Sequence, residues 1–117
     1  MAFKLAAVKE IKHKVEIKVP SDMGRHQKEQ ITVTYRKLST TESKELLKQA
    51  QDGTVTDEEI LAENVVDIQG VVDEDGRPVD YSQDLLEALC DIEYARSPLI
   101  QGFMTIQFGR EAMTAKN

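Results

Sequence analysis

Tryptophan is absent from the 117 residues, and cysteine, proline and glycine are sparse, at one, three and six. A lone Cys90 excludes an internal disulfide and fits a reducing compartment. With only His13 and His26 beside it, Cys90 also leaves too few ligands for a zinc cluster. Scarce glycine leaves no phosphate-cradling loop, no Walker-type lysine and no nucleophile elbow. No apolar run reaches 18 residues, which excludes a membrane-spanning helix. The opening Met1-Ala2-Phe3-Lys4-Leu5 meets Lys9-Glu10 too soon for a signal-peptide apolar stretch. What remains is 40% hydrophobic, enough to build a core and too much for an intrinsically disordered chain. At 13.2 kDa the chain predicts one domain over residues 1–117, with a flexible tail after about residue 112.

Charge is plentiful and uneven. The net value is -6, yet residues 1–37 hold nine basic and four acidic side chains, while residues 38–117 hold six and seventeen. A dipolar chain of this kind suits either two partners of opposite sign or a Lys-rich strand face that is merely solvated.

Residues 11–19 alternate strictly: Ile11, Val15, Ile17 and Val19 on one face, Lys12, Lys14, Glu16 and Lys18 on the other. That period predicts a half-buried strand, closed by Pro20 and the turn chemistry of Ser21-Asp22-Met23-Gly24. Residues 30–38 repeat the alternation, with Ile31, Val33 and Tyr35 inward and Thr32, Thr34 and Arg36 outward. Together they predict an antiparallel hairpin with a long polar loop that holds His26. A hairpin alone is marginal in water, so helices must cover its apolar face.

Those helices announce themselves by their caps. Ser39-Thr40-Thr41-Glu42 and Thr56-Asp57-Glu58-Glu59 both read as capping boxes. The first helix ends at Asp52-Gly53. In the second, Ile60, Leu61, Val65 and Ile68 share a helical face, which favours helix to about Ile68; the β-branched pair Val65-Val66 also permits a strand through Val72. Asp73 to Pro78 forms a strong turn. Ser82 caps a third helix with Leu85, Leu86, Leu89 and Ile92 at core spacing, and Ser97-Pro98 predicts the start of a fourth. The expected class is α+β: an N-terminal hairpin packed against about four helices.

Chemistry is harder to find. With Gly76 at the sixth position of a calcium loop, Val71 and Ser82 fall where carboxylate ligands are needed, so the acidic turn is not an EF-hand. Cys90 lies near Glu87, Asp91 and Glu93, which disfavour a reactive thiolate. No catalytic set, cofactor or metal is expected. The basic hairpin allows nucleic-acid binding, but its outward face offers Thr32 and Thr34 where a binder would place stacking rings.

The last helix holds the surplus. At 100° per residue, Ile106, Leu99, Phe103, Ile100, Met104 and Phe108 spread over an arc of roughly 200°, interrupted by Gln107. A helix on one neighbour needs about half that. The excess is either sandwiched inside the domain or left for a partner protein or another copy.

Taken in order, several residues carry a resemblance. They are Phe3-Lys4-Leu5, the strand closed by Pro20, Gly24, the Thr-rich strand ending Tyr35-Arg36-Lys37-Leu38, Ile68-Gln69-Gly70-Val71, Asp73-Glu74-Asp75-Gly76, Pro78-Val79, Tyr81-Ser82 and a Leu-rich helix. This pattern resembles the tail assembly chaperones of long-tailed (siphovirus-type) bacteriophages over nearly the whole chain. It departs at Gln69, where the family often has Trp. The resemblance implies a non-enzymatic role in tail morphogenesis: binding the tape measure protein, keeping it soluble and helping to recruit tail tube subunits. It implies a place in the host cytoplasm and absence from the mature virion. Homo-oligomers are possible partners, and neither nucleic acid nor membrane is expected. The alternative is a small cytosolic adaptor or a basic-hairpin nucleic-acid binder. On the chaperone reading, Leu99, Ile100, Phe103, Met104, Ile106 and Phe108 supply the contact surface.

Overall fold

The computed structural model describes residues 2–114, with side chains described as far as Gly109. Its elements are β1 (Glu10–Pro20), β2 (His26–Arg36), α1 (Thr40–Gln51), α2 (Asp57–Asn64), β3 (Val65–Gln69), α3 (Gln83–Cys90) and α4 (Glu93–Thr114). Among the described residues the fold is α+β: one antiparallel sheet in the order β1-β2-β3, with four α-helices. Among the described residues no helix is long and apolar enough to cross a membrane.

The hairpin keeps the expected inward faces but is longer than expected, and Thr34, expected on the wet face, is itself buried at 8% exposed. Pairing runs from Glu10↔Arg36 to Pro20↔His26, so the connection shrinks to residues 21–25 around a 3-10 turn, Asp22–Gly24. The long loop is therefore corrected, and His26 opens β2. The polar residues Gln27 to Gln30 pair as well as apolar ones do, because ladder bonds need only backbone groups. Met23 holds the left-handed conformation that closes so tight a turn (φ +65°).

Residues 65–69 form a third strand where helix was favoured. Val33 pairs with Ile68 and Tyr35 with Val65, with a bulge at Val66. The extra residue lets Val65 and Ile68, three apart, both face the core, at 6% and 2% exposed. Three-residue spacing is also the helical signature, which is why the local pattern pointed to helix.

Both capping boxes form. Ser39 Oγ accepts from Glu42 N–H and Thr56 Oγ1 from Glu59 N–H, each at 3.2 Å, and both glutamates reach back to the cap amide. Ser82 caps α3 by accepting from Leu85 N–H. Asp73 ties the acidic turn, its Oδ1 accepting from the amides of Asp75 and Arg77. The fourth helix begins earlier than expected: Glu93 opens it and Pro98 lies inside. The chain needs only Asp91 and Ile92 between α3 and α4, and the Ile92 carbonyl accepts the first amides, from Ala95 and Arg96. The helix breaks direction at Gly109 (φ +80°), passes residue 112 and is described as far as Thr114; the rest of the expected tail lies outside the described residues.

The core lies between the inward sheet face and the helices. Val15, Ile31, Val33 and Tyr35 meet Ile60, Leu61, Leu86, Leu99 and Phe103, all at most 6% exposed.

Candidate functional site

Helix α4 lies across the sheet with its strongest contact on β1. Ala95, Leu99, Phe103 and Gln107 recur every fourth residue and are all buried, so they form the stripe that faces the sheet. Tyr35 anchors this seam. Its hydroxyl donates to the Leu99 carbonyl at 2.8 Å, and its ring meets Phe103 at a tilted 6.1 Å between centroids. Burial drives the Tyr35 hydroxyl pKa far up, so it remains a donor. Half-buried His13 approaches the same ring from β1.

One turn on, Gln107 closes the end of the sheet. Its carboxamide accepts from Leu38 N–H at 2.9 Å and donates to the Arg36 carbonyl at 2.7 Å. These backbone groups lie at and just past the last sheet pair, so a side chain completes what a strand would otherwise supply.

This geometry divides the six expected contact residues. Leu99 and Phe103 are fully buried and belong to the domain's own core, which corrects their assignment to a partner surface. The reason is positional: the sheet consumes the middle of the apolar arc. Ile100, Met104 and Phe108 remain half-buried along one flank of the helix, four residues apart. Ile106 is also half-buried and packs beside the core with Ile100 and Met104. Of the six, Ile100, Met104 and Phe108 form a half-buried ridge, with Ile106 apart from it.

Two other surfaces carry charge. The outer face of the sheet presents Lys12, Lys14 and Lys18 from β1 and Lys28 and Arg36 from β2, all exposed. Lys18 stands directly opposite Lys28, an unfavourable pairing for stability. The helical side is acidic. There Glu58 pairs with Arg96 at 3.1 Å and has its pKa lowered by hydrogen bonds from its own backbone amide and then from Arg96. Cys90 is buried beside it, and desolvation first, then Glu58, pushes its thiol pKa up, so it is a poor nucleophile at neutral pH.

The sequence reading passed over two features. Gln107 reads as a polar interruption of an apolar arc, yet it is the clamp between helix and sheet. Phe3, Leu5 and Val8 stand exposed before β1 at 91%, 99% and 62%. Comparison with protein-family models, with curated proteins and with solved structures finds no match.

Proposed function

We propose that this protein is a tail assembly chaperone of a long-tailed bacteriophage. On this reading it binds the tape measure protein in the host cytoplasm, keeps that long chain soluble and helps to recruit tail tube protein. It performs no catalysis and is left out of the mature virion. The motif order from Phe3 to the Leu-rich third helix supports the family. The structural observation that carries the mechanism is the Ile100–Met104–Phe108 ridge, which a single subunit leaves half-uncovered. Met adapts its shape to varied apolar surfaces and Phe supplies contact area, while a net charge of -6 keeps the complex dispersed.

Co-expression with a tape measure fragment tests it. The wild-type chain is expected to hold the fragment in the soluble fraction and to co-purify with it. Met104→Lys with Phe108→Lys is expected to lose both effects while the circular dichroism spectrum stays unchanged. Unchanged recovery with the folded double variant would remove the ridge. No recovery with the wild type would remove the reading itself.

A second reading, a nucleic-acid-binding module or small adaptor, draws on the cationic outer sheet face and the Lys18–Lys28 apposition. It predicts binding to generic DNA or RNA that weakens steeply with salt. Salt-insensitive or absent binding would eliminate the nucleic-acid version.

A further inference from the structure

The chain ahead of β1 leaves the sheet with its apolar side chains uncovered. The last sheet-like bond runs from Lys37 N–H to the Lys9 carbonyl at 2.8 Å, and residues 2–9 form neither helix nor strand. Seven residues, 2–8, reach roughly 23 Å when extended. Along them Phe3, Leu5 and Val8 are interleaved with Lys4 and followed by Lys9, so the arm is apolar and cationic together.

The complementary surface is on the opposite charge pole. Between α2 and α3 runs an open groove of about 370 Å³ with Leu86 and Cys90 in its floor and Glu58, Glu59, Glu87 and Asp91 around it. Among the described residues no cation lines it, and its one described ion pair, Arg96 with Glu58, leaves the other carboxylates uncompensated by any described salt bridge. An occupant that fits must bring apolar side chains and positive charge in one extended segment. The arm has that composition, and within a single chain Phe3 and Leu5 stand clear of any surface.

We infer that the N-terminal arm of one copy docks in the α2–α3 groove of a second copy. Phe3 and Leu5 provide the apolar anchors, and Lys4 and Lys9 meet the carboxylate rim. Each copy donates one arm and accepts another, so the contact closes as a reciprocal twofold dimer or a larger ring, or runs on as an open chain. Charge on the rim contributes mainly to encounter and orientation, while the anchors hold the complex.

Sedimentation equilibrium of the full chain over a wide concentration range, at low salt, tests this. The weight-average mass is expected to climb above the monomer's 13.2 kDa, and added salt is expected to lower it. Phe3→Ser with Leu5→Ser, which touches only exposed side chains, is expected to weaken association on the order of tenfold or more. Glu59→Lys with Glu87→Lys, checked for unchanged circular dichroism, is expected to do the same from the other side. A wild type that stays monomeric throughout would overturn the inference, as would an arm variant or a folded groove variant that associates as the wild type does. The contact is independent of the chaperone reading, because tape measure recovery is scored with the α4 ridge variants and self-association with these.

Discussion

Tyr35 and Gly102 meet at the seam between sheet and helix so closely that a methyl group at Gly102 would lie 2.8 Å from the Tyr35 hydroxyl oxygen and 3.3 Å from His13 Cδ2. Glycine is there for clearance, since its backbone is ordinary helix. Without a side chain at position 102, α4 sits low enough for Tyr35 to reach the Leu99 carbonyl. Gly102→Ala should therefore destabilise the fold by about 1–3 kcal/mol, although alanine is the better helix former by about 1 kcal/mol. Tyr35→Phe should cost about 1 kcal/mol for the lost buried hydrogen bond. Combined, the two should cost less than their sum, because removing the hydroxyl makes room for the methyl group. Urea unfolding of the four proteins in the cycle measures the difference; strict additivity would mean that the clash is relieved elsewhere.

Gln107 makes a second prediction. Replacing it with Leu keeps the volume but leaves Leu38 N–H and the Arg36 carbonyl without their partner, for a loss of about 1–3 kcal/mol. Gln107→Glu keeps the acceptor and loses the donor. It should fall between the two and recover part of its stability as the new carboxyl is protonated in acid. Thermal melts across pH check both, and equal stability of wild type and Gln107→Leu would show that the clamp is idle.

Ser43 predicts a gain. It is 5% exposed within α1, and its hydroxyl oxygen has no hydrogen-bond partner. Ser43→Ala removes a desolvated polar group and improves helix propensity, so it should stabilise the protein by about 0.5–1.5 kcal/mol. A lower urea midpoint for Ser43→Ala would show that the hydroxyl is satisfied in solution.

The pH dependence has two limbs. Burial raises the pKa values of Tyr35, Tyr81 and Cys90, with Asp67 adding to the effect on Tyr81 and Glu58 to that on Cys90. The folded state holds these protons more tightly, so the stability they contribute is complete below the ordinary values of 9.0 for Cys and 10.0 for Tyr and is lost as pH rises above them. Tyr35→Phe should flatten this alkaline decline most. In acid, Glu42 works the other way: the hydrogen bond from the Ser39 backbone, then that from its hydroxyl, lowers the Glu42 pKa. Its contribution is present above 4.5 and lost as pH falls below that value, and Ser39→Ala should blunt the loss. Urea midpoints from pH 3 to 11 would expose a wrong sign on either limb.

Local chemistry was legible in the sequence. The inward faces of β1 and β2, the capping boxes at Ser39 and Thr56, the cap at Ser82 and the Asp73 turn all depend on residues within a few positions of each other, and alternation or cap spacing states them directly. Contacts at long range were not. The bulge at Val66 gave a strand the three-residue spacing of a helix, and only pairing of Val65 and Ile68 with Tyr35 and Val33 makes it a strand. Likewise, an apolar arc on α4 records which side chains avoid water and not which neighbour shelters them. The sheet took Leu99 and Phe103, left Ile100, Met104 and Phe108 half-covered, and left Phe3 and Leu5 with no shelter at all. Sequence by itself determined the α+β class, the charge polarity and the capped starts of α1, α2 and α3, because backbone propensity, cap spacing and hydrophobic period act locally. Tertiary structure decided which apolar residues stay uncovered, because that depends on where distant segments come to rest.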